Sequence, residues 1–302
     1  MSQYFIGTAG WSYKDWEGIV YPVQKPTSFH PLEFLAQYID IIEINSTFYR
    51  PPVIQHSISW TKKVESYQNF LFTVKLHQIF THQRKDFSQK EIDQFKFGIE
   101  PLKMKERLAA ILMQFPWSFA STPANREYLM KLFNFFSGYP LAIEVRHGSW
   151  NHPNFFTFLK KHDIALCNID QPLFHNSIPP TAISTNSQFA YVRLHGRNTE
   201  NWFREDAGRD ERYNYLYTKK ELKEWIERIK ILSQHSKNVY VITNNHYRGQ
   251  ALANALQLKN MLTGKKFDIP RPMLANYPVL EELTEEEKFG QLGLFPKSSS
   301  ES

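Results

Sequence analysis

Cysteine is almost missing from this chain: its 302 residues include one, Cys167, so no disulfide can form within it. Cys167 sits in the run IALCNID with nothing adjacent to lower a thiol pKa, which reads as core filler in a reduced protein rather than a reactive thiol. No run of about 18 apolar residues occurs, so a membrane-spanning helix is excluded and no membrane partner is expected. The opening residues MSQYFIGTAG carry neither the basic nor the apolar region of a secretory signal, so a cytoplasmic location is expected. Neither GxGxxG nor a P-loop is present, which removes the sequence case for a nucleotide held in those ways, and no cofactor is assigned. GxSxG is missing too, which argues against a nucleophile elbow. HxxH and HExxH spacings are absent despite 11 histidines. Dense Lys/Arg blocks are also missing. A net charge of +6 and a pI near 9.1 are spread along the chain, which favours anionic partners without demanding nucleic acid.

What the chain does have is a series of short apolar runs, most of them closed by polar or charged residues. In order they read YFIGTAG, IIEINST, LFTVKLH, AAILMQF, LAIEVRH, IALCNID, AYVRLHG and VYVITNN. Their apolar residues cluster rather than alternate strictly, the pattern of parallel strands buried on both faces. Eight such strands close a (β/α)₈ barrel, which typically needs about 250 residues. A hydrophobic content of 42% is enough for its core.

Helical patterns fill most of the gaps. His30-Pro31 opens one, with Leu32, Leu35 and Ile39 on a face. Ser88 and Glu91 form a capping box ahead of Ile92, Phe95, Ile99 and Leu102. Thr122-Pro123 starts a helix bearing Leu129, Leu132, Phe133 and Phe136, which Gly138 stops. Thr218 and Glu221 cap Leu222, Trp225, Ile226, Ile229 and Leu232. Leu252, Ala255, Leu256 and Leu262 mark a last helix before Gly264. Alternating strands and helices give βαβ units and a parallel sheet. Two gaps lack helical period: QPLFHNSIPPTAISTNSQ after the sixth strand, and the segment from His195 to Thr218. The second is packed with Trp202, Arg204, Asp206, Arg209, Asp210, Arg212, Tyr213, Tyr215 and Tyr217, which reads as a substrate-covering loop. The expectation is one α/β TIM-barrel domain over 1–275, with irregular loops after strands six and seven. An acidic helix and flexible tail follow over 276–302.

The segments GTAGWSYKDWEGIVYP, EINSTFYRPP, IEVRHGSW, YVRLHGRN and NNHYRGQALANA together resemble the YecE-like family, the domain of unknown function 72, from about Phe5 to about Leu262. The resemblance implies a TIM-barrel fold. It implies no particular reaction and no set of catalytic residues.

In a TIM barrel the C-terminal strand ends carry the chemistry. Here those ends hold Glu43, Asn45, Lys75, His77, Gln114, Glu144, Arg146, Asp170, Arg193, His195, Asn244 and Asn245. Glu144 and His195 are the first choices for general acid/base work, with Glu43, Asp170 and Lys75 as further candidates. A phosphate often binds at the loops after strands seven and eight, where Arg193, Arg197, Asn244, Asn245, Arg248 and Gly249 fall; Asn45 and Arg146 join this anion set. Trp11 and Tyr13 of the first loop, with Trp16, Trp117 and Trp150, offer aromatic faces at the mouth. The competing reading for each group is structural: an ion-pair network closing the barrel mouth, and loop packing on its rim. Glu43, Glu144, Asp170 and His195 are also an oxygen-rich set for Mg²⁺ or Mn²⁺. Lys75, Arg146 and Arg193 are interleaved with them and would repel a divalent ion, so no metal is assigned.

The tail carries Gln291, Leu292, Gly293, Leu294 and Phe295, a match to the Gln-Leu-x-Leu-Phe peptide with which bacterial polymerases and repair proteins hold the sliding clamp. The alternative is that its apolar residues fold back on the barrel. Together these features read as an enzyme, a hydrolase or lyase, acting on a small anionic or phosphorylated substrate, with a bacterial sliding clamp as partner. Two alternatives stand beside it: a non-catalytic ligand- or nucleic-acid-binding module, and a metal-dependent endonuclease or isomerase.

Overall fold

Eight parallel strands close into one barrel in sequence order. They are β1 (Gln3–Ala9), β2 (Ile41–Ile44), β3 (Leu71–Lys75), β4 (Leu108–Gln114), β5 (Leu141–Glu144), β6 (Ala165–Asp170), β7 (Phe189–Leu194) and β8 (Asn238–Thr243). The computed structural model describes residues 2–84, 87–200, 202 and 209–284. Every residue of β2, β5, β6 and β7 is buried, as clustered apolar runs require when both faces of a strand are covered. Closure comes from β1 pairing with β8, Tyr4 against Val239 through Thr8 against Thr243.

The helices around the barrel are α1 (Pro31–Leu35), α2 (Ser46–Tyr49), α3 (Ile54–Lys63), α4 (Gln89–Met104), α5 (Pro123–Phe135), α6 (Pro153–Lys161), α7 (Arg209–Arg212), α8 (Lys219–Ser233), α9 (Gln250–Thr263) and α10 (Arg271–Asn276). Both capping boxes form. Glu91 accepts from the Ser88 N–H at 2.8 Å, and Glu221 accepts from the Thr218 N–H at 2.8 Å. The stretch after β6 is irregular, as its prolines and missing period imply.

α3 has no apolar stripe; Ser57 is its one buried residue. It packs through small groups instead. The Ser57 hydroxyl donates to the Gly98 carbonyl at 2.6 Å, and a Cβ at Gly98 would lie 2.2 Å from the Pro52 carbonyl oxygen.

The barrel packing continues past residue 275. Leu280 and Leu283 are buried, Phe267 donates to the Leu283 carbonyl, and the Tyr277 hydroxyl donates to the Arg248 carbonyl at 2.8 Å. The acidic stretch therefore begins as a 3₁₀ turn, Pro278–Leu283, held on the barrel by its leucines. Gln291, Leu292, Leu294 and Phe295 lie outside the described residues. Among the described residues no helix is long and apolar enough to cross a membrane.

Candidate functional site

Strand pleating turns alternate residues to opposite faces, and here it sorts the strand-end groups into two sets. Glu43, Thr73, Glu144, Arg146, Tyr191, Arg193, His195 and Asn244 belong to one interior network, and Lys75 shares its face of the barrel. Arg193, 2% exposed, donates from one nitrogen to Glu43 and from another to Glu144, each at 2.5 Å. The Tyr191 hydroxyl donates to the second Glu43 oxygen at 2.9 Å and meets the Thr73 hydroxyl at 2.8 Å. Arg146 reaches Glu144 at 2.8 Å, and His195 Nε2 lies 3.1 Å from the same Glu144 oxygen. Asn244 Nδ2 stands 2.9 Å from His195 Nδ1.

The electrostatics of this network are settled by its partners. Burial pushes the Glu144 carboxyl up, but Arg193, His195 and Arg146 together hold it well below the usual carboxylate range. Burial, with Arg146 and Arg193 beside it, lowers His195 to about 3 against the opposing pull of Glu144. A neutral imidazole that accepts from the Asn244 amide at Nδ1 carries its proton on Nε2 and donates it to Glu144. Both groups therefore hold one protonation state through neutral pH.

Lys75 differs. Its ammonium lies 4.0 Å from the centre of the Phe48 ring and makes no hydrogen bond or ion pair with the described residues. Burial is the main cause, and Arg193 the next, of a pKa lowered from 10.5 to about 7; Glu43 and Glu144 oppose the shift. Lys75 is thus the interior group that titrates near neutrality.

Above the network opens a cavity of about 580 Å³, lined by Gly10, Trp11, Ser12 and Tyr13 after β1, Asn45, Ser46 and Tyr49 after β2, Lys75, Arg146, Arg193, Arg212, Tyr213, Asn244 and His246. Four of these are cationic and none is a carboxylate. Tyr13 stacks on His246 at 4.6 Å, and Trp202 lies over the Arg146 guanidinium at 5.5 Å. The long segment after β7 therefore contributes Trp202, Arg212 and Tyr213 around the site.

The other sequence candidates lie elsewhere. Asp170 does not converge with Glu43 and Glu144. It faces outward, accepting from Trp225 Nε1 at 2.5 Å and from Arg197 at 2.8 Å. Arg197 in turn pairs with Glu221 at 3.2 Å and is absent from the cavity lining, so it belongs to a helix-anchoring cluster. Asn245, one residue past Asn244, points to the opposite face and donates to the Tyr215 carbonyl and to Asn254 of α9, each at 2.8 Å. Arg248 takes up a left-handed conformation, φ 50°, and its N–H donates to Asp15 at 2.5 Å. Gly249 has φ 89°, and a Cβ there would meet Val20 at 2.6 Å, so this glycine allows loop packing rather than lining the cavity. Of the aromatic candidates, Trp11 and Tyr13 line the cavity. Trp16 and Trp150 are fully buried, and Trp117 packs on His147 at 5.3 Å. No sequence motif singles out Ser46, Tyr49 or Tyr191; Tyr191 lies two residues before Arg193, so the same pleat period identifies it.

With Asp170 turned outward, the described lining of the cavity holds no oxygen cluster for a cation. Among the described residues no group of three or more His, Cys, Asp or Glu is placed to hold a metal ion. Glu43 and Glu144 are spanned by Arg193, which occupies the position a shared cation would need. Cys167 is buried, and burial pushes its thiol well above the usual range, in keeping with an inert core position.

The family model described as "Protein of unknown function DUF72" matches residues 5–276. The UPF0759 protein YunF of Bacillus subtilis is 32% identical over 271 residues, covering 85% of this chain and 94% of YunF. A crystal structure of a DUF72 family protein from Thermotoga maritima superposes with a TM-score of 0.75 at 38% identity, covering 86% of this chain and 99% of that one. A DUF72 family protein from Enterococcus faecalis superposes with a TM-score of 0.75 at 28% identity, covering 88% and 97%.

Proposed function

This chain belongs to the DUF72 family, and we propose that it is an enzyme that binds a small anionic substrate in the barrel-mouth cavity and moves a proton through Lys75. The observation that carries this reading is the lining itself: Lys75, Arg146, Arg193 and Arg212 face the cavity, and among the described residues no carboxylate does. The two nearby carboxylates neutralise part of that charge from beneath, and with Lys75 protonated the three cations Lys75, Arg146 and Arg193 still outnumber Glu43 and Glu144, which suits a phosphate or carboxylate. A general base works best when its pKa lies near the working pH, and Lys75 meets that condition. Glu144 and His195, the first choices from sequence, take the supporting part: they fix Arg146 and Arg193, so the guanidinium groups need no reorganisation when charge builds on the substrate. Proton removal beside a carbon that bears an anionic group is lyase chemistry; the same base acting on water would make a hydrolase.

Two measurements test this. Calorimetric titration with inorganic phosphate should show binding to the wild type and at least a tenfold weaker affinity for Arg146→Gln, the loss of roughly 1.4 kcal/mol of charge-assisted contact. Incubation with pooled phosphorylated and carboxylated metabolites, read by mass spectrometry, should show a compound consumed by the wild type and spared by Lys75→Met. Phosphate binding without any consumption would favour a binding module over an enzyme. Equal phosphate affinity in both proteins would remove the anion site.

The single buried thiol suits a reducing cytoplasm. The Gln291–Phe295 peptide suits the sliding clamp of a bacterium and links the reaction to DNA metabolism.

A further inference from the structure

A lysine kept for structure alone is normally paired with a carboxylate. Lys75 is not. The carboxylates within its reach, Glu43 and Glu144, are already engaged by Arg193, Arg146 and Tyr191. Its amine rests on the Phe48 ring, at the end of β3, and faces the cavity beside Asn45, Asn244 and Arg146. Phe48 is itself 9% exposed, so one side of the amine is apolar and the other opens to a ligand. With a pKa of about 7, roughly half of Lys75 carries a free lone pair at neutral pH, against a few parts in 10⁴ for an ordinary lysine. A desolvated amine beside other cations is the setting in which lysine becomes a nucleophile.

We infer that Lys75 forms an imine with the carbonyl carbon of an aldehyde or ketone that also carries a phosphate or carboxylate. The inference rests on the anion reading above and adds the substrate class to it. The amine lone pair attacks the carbonyl carbon; the C–N bond forms as the C=O π pair moves onto oxygen. A proton passes from nitrogen to that oxygen; a second, taken from water, lets it depart as water and leaves the protonated imine, which returns that proton on becoming neutral. Amine and carbonyl thus become imine and water, with no change in oxidation state. Arg146 and Asn244 face the cavity as donors for the developing oxygen charge, and the Phe48 face supports the protonated imine as it supports the ammonium. An imine at this position draws electrons from the adjacent carbon, a role that takes the place of the base role open to the free amine.

The test uses the wild-type full chain at pH 7 and pyridoxal 5′-phosphate as the probe, an aldehyde bearing a phosphate. Sodium cyanoborohydride reduces any C=N bond to a stable amine, and peptide mass spectrometry ranks the lysines by rate. Lys75 should be modified about tenfold or more faster than any surface lysine, given its far larger neutral fraction and its lower intrinsic basicity. Modification of Lys75 at or below the rate of surface lysines overturns the imine; phosphate binding by calorimetry then still upholds the anion site. Saturating inorganic phosphate should slow the Lys75 reaction specifically. Selective modification that phosphate leaves unchanged upholds the nucleophile and overturns the anion reading, so the two fail separately.

Discussion

Replacing Lys75 by methionine should make the protein more stable, and the size of that gain follows from its surroundings. Lys75 titrates at about 7 in the folded chain, against 10.5 for an ordinary lysine. Between those values the unfolded chain binds more protons than the folded one, so wild-type stability rises with pH across that window. Below it the ammonium is charged in both states, and its burial costs a ceiling of about 5 kcal/mol from the shift alone. The contact with Phe48, 4.0 Å away, returns about 1–2 kcal/mol, and partial exposure to the cavity screens the remainder. A net penalty of roughly 2–3 kcal/mol at pH 6 remains. Methionine keeps the aliphatic stem on Phe48 without the charge. Lys75→Met should therefore raise Tm by roughly 5–10 °C at pH 6, using about 2–4 °C per kcal/mol for a domain of this size. By pH 9 the advantage should fall by roughly half, because the wild-type lysine has by then shed its proton in the folded state. Scanning calorimetry of both proteins at pH 6, 7.5 and 9 reads this directly. A variant that melts below the wild type at pH 6, or a gap that does not change with pH, would refute the account of Lys75 as an unpaired amine held for chemistry.

Arg193→Met should cost about 3–5 kcal/mol in urea denaturation, because it leaves Glu43 and Glu144 buried without their shared cation; adding Glu43→Gln and Glu144→Gln should recover most of it. Gly249→Ala should destabilise by about 1–3 kcal/mol through its φ of 89° and the close approach of Val20, while leaving phosphate affinity unchanged by calorimetry. A labelled peptide spanning Gln291 to Phe295 should bind purified bacterial sliding clamp in fluorescence anisotropy. Replacing Leu294 and Phe295 by alanine should abolish that binding, since each such buried anchor contributes about 1.5–3 kcal/mol; no binding at high micromolar clamp would remove the link.

Much of the barrel was legible because parallel strands buried on both faces leave a direct trace: a cluster of apolar residues, then polar groups where the strand reaches the mouth. The trace identifies strand ends but not which face each residue takes. Asp170 and Asn245 illustrate the difference. Each lies one residue from an inward position, Ile169 and Asn244, and that single step turns it toward α8 or α9 instead of the cavity. The pleat rule that pairs Glu43 with Asn45, and Glu144 with Arg146, would have separated them. The isolation of Lys75 is of another kind. It depends on Arg193 from β7 reaching both Glu43 on β2 and Glu144 on β5, a three-way contact across the closed barrel that no local spacing encodes. Had either carboxylate turned to Lys75, the same residues would form an ordinary ion-pair plug with a lysine charged far above neutral pH. The chemistry proposed for this site therefore rests on the choice Arg193 makes between partners. Arg193 is the arginine of this site that burial leaves least free to choose otherwise: it is 2% exposed, while Arg146 also serves the cavity.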